Sequence, residues 1–173
     1  MKRMTKFRLQ LDIWLSHFLV LLLSTMTINV VWQVVSRYLI RVPSSFTDEL
    51  ARYLLIWLGL FGAAYASGQG NHLSIDLLAQ HLNEKQKLWI NKLIYGFIIL
   101  FASFTMVIGG IRLVYTTIVL KQSSAALDLP LGIVYLALPL SGFLVILYKI
   151  MDILQASDPS RNKLFVESSK NIS

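Results

Sequence analysis

Two side chains in this sequence have the chemistry and the spacing to act together in a membrane: the carboxylate of Glu49 and the guanidinium of Arg52, one helical turn apart. A carboxylate inside a bilayer can carry a proton or a cation, so Glu49 could serve an autonomous small exporter or channel that works as a homo-oligomer. The simpler interpretation is a weak i,i+3 ion pair at the membrane interface. Because Glu49 is the only carboxylate suited to ion coupling and lies near a predicted helix end, a self-sufficient transporter is not favoured.

The three histidines suggest a haem or metal site, but their positions do not support one. Haem ligation between membrane helices needs imidazoles on facing helices, whereas His17 is predicted in the first helix and both His72 and His81 in a connection. His72 and Asp76 are four residues apart, and we expect them to order a cytoplasmic turn as a hydrogen-bonded pair. The sequence contains no cysteine, which excludes thiolate catalysis and Cys-ligated metals. We therefore expect no enzymatic activity, no metal site and no cofactor.

The elements that must position these side chains follow from the distribution of charge. Of the 173 residues, 55% are hydrophobic and only 14% are charged, against roughly 25% charged in soluble domains. Four uncharged runs of about 20 residues are each long enough to cross a bilayer as a helix. They lie between Asp12 and Arg37, Arg52 and Asp76, Lys92 and Arg112, and Asp128 and Lys149. The sequence therefore predicts an all-α integral membrane protein with a single membrane domain.

Capping residues, glycines and prolines set the predicted limits of the helices. The four transmembrane helices are predicted over about 11–35, 48–67, 88–120 and 130–153. The third is too long for an upright embedded helix, so it either tilts and projects outward or breaks near 109–110. Pro139 should kink the fourth. Apolar residues at helical spacing predict a short cytoplasmic interfacial helix over about 74–86, and residues 154–173 form a polar tail.

The basic residues predict the orientation of the chain. With both termini in the cytoplasm, the cytoplasmic segments hold eleven Lys and Arg residues and the outer segments four, which agrees with the preference of basic segments for the cytoplasmic side. The four outer residues are Arg37, Arg41, Arg112 and Lys121. Because this placement explains much of the net charge of +7, we expect membrane lipids rather than nucleic acid as partners.

The second predicted helix carries a face that favours contact with another helix. After Tyr53 and Trp57 it contains several small residues, including Gly59 and Gly62. Small residues let membrane helices approach closely, while ionisable groups that face lipid are costly. We therefore expect this helix to contact a second protein, with packing inside one four-helix bundle as the alternative.

The segment that joins these features resembles a known family. Residues 48–76 read DELARYLLIWLGLFGAAYASGQGNHLSID, with Glu49, Arg52, Trp57 and His72 in register. The segment resembles the hallmark of the small membrane subunit, or Q subunit, of tripartite ATP-independent periplasmic (TRAP) transporters. The length of the chain and its four-helix layout are similar to that family as well.

The resemblance implies an accessory role in a three-protein importer of the bacterial cell inner membrane. A periplasmic binding protein would deliver an organic acid, with sialic acid favoured, to a sodium-driven large membrane subunit, and this chain would be an auxiliary scaffold in a stable complex with that subunit. The predicted contact with the large subunit comprises Glu49, Arg52, Tyr53, Trp57, Gly59 and Gly62. The predicted transient contact with the binding protein comprises Arg37, Arg41 and Lys121.

Overall fold

The computed structural model describes residues 2–41, 44–69 and 84–156, and side chains within 6–41, 44–69 and 89–154. Nearly all of these residues are helical, and the described part of the chain contains no β-strand. Four helices are long and apolar enough to cross a membrane, and we refer to them in chain order as the first to fourth spans. They cover Lys6–Ile40, Ser45–Gly68, Trp89–Val119 and Leu131–Leu154. The prediction of an all-α chain with four helices of transmembrane length is confirmed, whereas most of the predicted interfacial helix and of the polar tail lies outside the described residues.

The first and second spans are separated by only four residues of sequence, 41–44. Helix α1 covers Lys2–Val35 and continues through a π-helical turn over Ser36–Ile40. Arg41 then adopts a left-handed conformation with φ 59°, and its N–H donates to a carbonyl five residues earlier, which closes the last turn. Helix α2 covers Ser45–Gly68 and has Asp48 in its first turn, where the helix dipole favours a negative charge.

The third span is one continuous helix with a π-helical centre. Helix α3 covers Glu84–Phe101, the π-helix Ala102–Ile108, and α4 Gly109–Val119. The glycine pair at the start of α4, where the sequence allowed a break, is helical. A Cβ atom at Gly110 would lie 2.8 Å from Cδ of Pro139. The absent side chain at this position therefore allows the third and fourth spans to approach closely.

The fourth span is interrupted near its start. Helix α5 covers Leu131–Tyr135 and α6 covers Ala137–Ala156, with a turn at Leu136 between them. Proline has no N–H, so Pro139 cannot donate to the carbonyl of Tyr135, and its ring crowds that carbonyl. The interruption consequently lies a few residues before the proline.

The main contacts between spans join the first to the second, the second to the fourth and the fourth to the third, and the fourth span is the most buried. In its most apolar stretch 39% of the residues are buried, against 11% in each of the other spans. One core cluster, which includes Leu15, Phe61 and Tyr148, joins the first, second and fourth spans. Another, formed by Ala64, Ala102 and Val145, joins the second, third and fourth.

The bundle has two polar ends, and the ion pairs of the described residues divide between them. We call residues 36–41, 44–49 and 119–131 the loop end, because the first span ends and the second begins there, beside the connection between the third and fourth spans. We call residues 6–12, 65–69 and 148–154 the terminal end, because the first span begins there and the fourth ends there.

Candidate functional site

A buried lysine holds the terminal end together. Lys149 of the fourth span is fully buried, and its Nζ donates to the carbonyl of Ser67 at 2.7 Å and to Oδ2 of Asp152 at 3.1 Å. The same ammonium lies 5.2 Å from the ring centroid of Tyr95 in the third span, within the range of a cation–π interaction. One charge thus contacts the second, third and fourth spans.

Arg8 connects the first span to the same cluster. Its Nη1 lies 2.9 Å from Oδ1 of Asp152, and its Nη2 donates to the carbonyl of Gly68. The carbonyls of Ser67 and Gly68 belong to the last turn of α2, where they have no intrahelical partner and carry the negative end of the helix dipole. Arg8 and Lys149 therefore cap α2 and join it to the first and fourth spans through one shared carboxylate.

Tyr148 completes the terminal end through its hydroxyl and its ring. The hydroxyl donates to Oδ1 of Asp12 at 2.6 Å. The ring lies against Gly68, where a Cβ atom would be 2.6 Å from two ring carbons. The close approach of the second and fourth spans therefore requires a glycine at this position. Sequence reasoning used Arg8 and Lys149 only to orient the chain, because their partners are visible only once the neighbouring helices are known.

The loop end is held by weaker contacts between the first and second spans. Buried Asn29 donates through Nδ2 to the carbonyl of Thr47 at 2.9 Å, and Gln33 donates through Nε2 to Oδ1 of Asp48. Arg37 Nη2 lies 3.8 Å from Oδ2 of Asp48, and both side chains are substantially exposed. An exposed pair at this distance contributes little to stability. The hydrogen bonds of Asn29 and Gln33 are therefore the main polar contacts between the first and second spans at this end.

Glu49 bonds to the connection between the third and fourth spans. Its Oε2 accepts a hydrogen bond from the hydroxyl of Ser124 and another from the N–H of Ala126 at 3.1 Å. The Ser124 oxygen in turn accepts from the N–H of Leu127 at 3.2 Å, and Ser124 is buried although it lies in a loop. Within the described residues Arg52 makes no ion pair with Glu49. The carboxylate that seemed suited to ion coupling thus has an internal structural contact.

The six residues predicted to contact a large subunit divide between two faces of α2. Arg52 and Gly59 are exposed and Gly62 is half-exposed, and a Cβ atom at either glycine would meet nothing within 4 Å. Trp57 lies on the other face, where its ring stacks on Phe61 with centroids 5.4 Å apart. Tyr53 is half-buried, and Glu49 bonds to the loop as described. One helix face cannot present all six residues to the same partner.

A continuous face of α2 is left uncovered by the rest of the described chain. We call it the open face; it comprises Arg52, Leu55, Gly59, Gly62, Ala63 and Ala66. Ala63 and Ala66 are among the small residues that the sequence suggested for contact with another helix, whereas Leu55 was not included. The signal that could have found Leu55 is the helical period, since residues three, four and seven positions apart share a face.

The three residues predicted to meet a binding protein lie together at the loop end. Arg37, Arg41 and Lys121 are all exposed. Arg41 and Lys121 adopt left-handed backbone conformations, with φ of 59° and 48°. His72 and Asp76, predicted to order a cytoplasmic turn, lie outside the described residues.

Known transporter subunits are similar to this chain over most of its length. The family of tripartite ATP-independent periplasmic transporters, DctQ component, matches residues 26–158. A Haemophilus influenzae protein assigned as a TRAP transporter small permease is 31% identical over 124 residues, which are 72% of this chain and 75% of that protein.

Two further relatives match shorter stretches. The C4-dicarboxylate TRAP transporter small permease protein DctQ of Rhodobacter capsulatus is 31% identical over 100 residues, 58% of this chain and 44% of its own length. The sialic acid TRAP transporter small permease protein SiaQ of Vibrio cholerae is 37% identical over 57 residues, 33% of each chain. These matches confirm the resemblance carried by residues 48–76, and the chain belongs to the DctQ family as a small membrane subunit, or Q subunit, of a TRAP transporter.

Proposed function

We propose that the chain is an auxiliary scaffold that forms a stable complex with the large membrane subunit of a TRAP transporter. Its membership of a transporter-component family that is not an enzyme family supports this role. So does the placement of its acidic groups: within the described spans, Asp48, Glu49 and Asp152 lie near helix ends, and Asp12 accepts a hydrogen bond from the Tyr148 hydroxyl. A carboxylate that carries ions through a transporter is expected deeper in the membrane.

The observation that carries the proposal is the open face of α2. In a membrane, helices associate through close packing rather than through the hydrophobic effect, so small residues mark a helix that another helix can approach. Gly59 and Gly62 have free space where a side chain would be. Arg52, at one end of the face, is exposed and would gain a polar partner in the complex. Of the six predicted contact residues, we therefore place Arg52, Gly59 and Gly62 against the large subunit.

Co-purification of the tagged chain with its large subunit tests this contact. The double variant Gly59→Leu, Gly62→Leu adds two bulky side chains to the open face, and we expect it to lose the large subunit while still inserting in the membrane. Gly96→Leu is the matched control, because Gly96 of the third span also has nothing within 4 Å of a Cβ atom. Retention of the large subunit by the double variant would remove α2 from the interface.

The sequence also allowed an autonomous exporter or channel that uses Glu49. Under the scaffold proposal, the purified chain alone in liposomes moves neither protons nor sodium ions when a gradient is imposed. Measured flux that Glu49→Gln abolishes would replace the scaffold role by the exporter role. The internal bonds of Glu49 to Ser124 and Ala126 support the first outcome.

We propose sodium-driven symport of an organic acid as the activity of the whole complex. The names of two relatives, which refer to C4-dicarboxylates and to sialic acid, support this substrate class. The choice of sialic acid follows the sequence-based expectation. Reconstituted complex supplied with its binding protein should take up radiolabelled sialic acid only when a sodium gradient is present. Uptake of succinate in its place would support the C4-dicarboxylate assignment.

The proposed orientation has both termini in the cytoplasm of a bacterial cell and the loop end in the periplasm. The distribution of Lys and Arg supports it. Arg37, Arg41 and Lys121 would then face the binding protein. Because the natural sequence has no cysteine, a single cysteine at Lys121 should react with a membrane-impermeant maleimide in intact spheroplasts. A cysteine introduced at Lys6 should react only after lysis.

A further inference from the structure

We propose that Glu49 is a positioning residue that holds the loop of residues 120–130 in the conformation to which the binding protein docks. The inference rests on the proposed function, because it takes the loop end to be the periplasmic side of a TRAP complex. It assigns to Glu49 a role different from the membrane contact and from the ion-carrying role that the sequence suggested.

The first step is the bond between the second span and the loop. Glu49 lies in the first turns of α2, and the loop connects the third and fourth spans, 75 residues further along the chain. One of its two carboxylate oxygens, Oε2, accepts hydrogen bonds from both the Ser124 hydroxyl and the Ala126 N–H. Hydrogen bonds to a charged acceptor are stronger than neutral ones. The carboxylate thus ties the centre of the loop to a rigid helix.

The second step is the shape of the loop itself. Its two ends are joined by backbone bonds, from the Ser124 N–H to the Leu129 carbonyl at 2.9 Å and from the Leu131 N–H to the Gln122 carbonyl at 3.0 Å. Lys121 and Asp128 are left-handed, with φ of 48° and 52°, a conformation that residues with a Cβ atom seldom adopt. Such residues persist where their surroundings impose the conformation. Removal of the Glu49 contact is therefore expected to loosen this loop.

The third step is the outward surface. The middle of the loop exposes side chains that are polar or small, namely Lys121, Gln122, Ser123, Ala125 and Asp128, while the apolar Leu120, Leu129 and Pro130 are exposed at its two ends. The polar middle fits a water-soluble partner rather than a membrane helix. The exposed guanidinium groups of Arg37 and Arg41 on the neighbouring connection add positive charge, so the partner surface is expected to carry carboxylates. A loop held in one conformation loses less entropy on docking, which increases affinity.

Asp48 provides a matched control next to Glu49 in the chain. Its carboxylate contacts Gln33 and Arg37 of the first span, not the loop. Asp48→Asn and Glu49→Gln therefore remove the same charge from adjacent positions while disturbing different contacts. Ser124→Ala removes the hydroxyl donor from the loop side and leaves Glu49 intact.

The experiment combines two measurements on the complete complex in nanodiscs and proteoliposomes. Hydrogen–deuterium exchange of peptides covering 121–131 reports the Ala126 and Leu127 amides directly. Uptake of radiolabelled sialic acid, and of succinate as the second probe, is measured at increasing concentrations of the binding protein. We expect Glu49→Gln and Ser124→Ala to accelerate exchange and to raise the half-saturating concentration of binding protein, about tenfold for Glu49→Gln from the loss of charged hydrogen bonds. Maximal uptake should not change, and Asp48→Asn should leave the exchange of residues 121–131 as in the parent.

Each other outcome overturns a defined part of the inference. Unchanged exchange in both Glu49→Gln and Ser124→Ala would show that Glu49 does not hold the loop. Faster exchange with an unchanged half-saturating concentration of binding protein would show that the loop is ordered by Glu49 but is not the docking surface. Loss of the large subunit from Glu49→Gln would return this residue to the membrane contact. Failure of the parent chain itself to bind the large subunit or to support uptake would contradict the proposed function instead.

Discussion

The terminal end and the loop end of this bundle use charged side chains in different ways. At the terminal end, Lys149 is fully buried and Asp152 bonds to both Lys149 and Arg8. At the loop end, Arg37 and Asp48 remain substantially exposed with 3.8 Å between Nη2 and Oδ2, and Arg41 and Lys121 are exposed. Buried charges with fixed partners hold helices in register, whereas accessible charges can still bind another molecule. The comparison therefore assigns stability to the terminal end and supports the proposed recognition role of the loop end.

The largest expected effect is at the terminal end, where Asp152→Ala removes the carboxylate shared by Arg8 and Lys149. A buried charge that loses its counterion costs about 3–5 kcal/mol of stability. We expect a loss of this size in unfolding of the purified chain in mixed micelles, followed by the fluorescence of its four tryptophans.

Removal of the opposing cation should then restore part of the loss. In the Asp152→Ala background, Lys149→Met replaces the buried ammonium by an apolar side chain of similar length. We expect the double variant to be more stable than Asp152→Ala alone, because charges in contact are not additive. A double variant less stable than the single one would mean that Lys149 stabilises the terminal end mainly through its bond to the Ser67 carbonyl.

A smaller effect should distinguish two glycines of the same helix. At Gly68 a Cβ atom would lie 2.6 Å from the Tyr148 ring, so Gly68→Ala should destabilise the chain by about 1–3 kcal/mol through overpacking. At Gly59 no heavy atom lies within 4 Å of a Cβ atom, so Gly59→Ala should slightly stabilise α2 in the purified chain, by about 0.5–1 kcal/mol. The same unfolding measurement compares them. Equal effects would mean that Tyr148 moves aside without loss and that the terminal end is less tightly packed than described.

The smallest effect is expected from the exposed ion pair of the loop end. Asp48→Asn should change the free energy of unfolding by less than about 1 kcal/mol, because exposed pairs contribute little. This change in the free energy of unfolding should become smaller as the salt concentration is raised. A loss comparable to that of Asp152→Ala would contradict the division between a stabilising end and a recognising end.

Part of this structure could be predicted from the sequence because it depends on local patterns. Four uncharged runs of bilayer length predict four spanning helices, since any helix that crosses hydrocarbon must avoid unpaired charge. The family could be predicted from residues 48–76, where types and spacing repeat a known segment. Part of the open face of α2 could be predicted: Gly59 and Gly62, because glycine has no side chain, and Arg52, because it lies on the same side of the helix.

The remaining contacts could not be predicted because they depend on which helices are neighbours. Lys149 and Arg8 meet the end of α2 only because the fourth span packs beside the second, and no periodicity in one sequence encodes that order. Glu49 and Ser124 are 75 residues apart, and nothing local at Ser124 indicates a partner. Trp57 is predicted to contact a partner protein, and its ring also packs inside the chain, on Phe61 of the same helix and near Phe18 of the first span.

The contact of Arg8 with Asp152 also constrains how the protein is made. These residues are 144 positions apart, so the first is synthesised long before the second. At ribosomal rates of about 5–20 residues per second, Asp152 is synthesised roughly 7–30 s after Arg8. During that interval a long side chain can keep its charge at the membrane surface while its stem stays in the lipid. The first three spans are therefore synthesised before the bond that closes the bundle can form, and that bond becomes possible only with the fourth span.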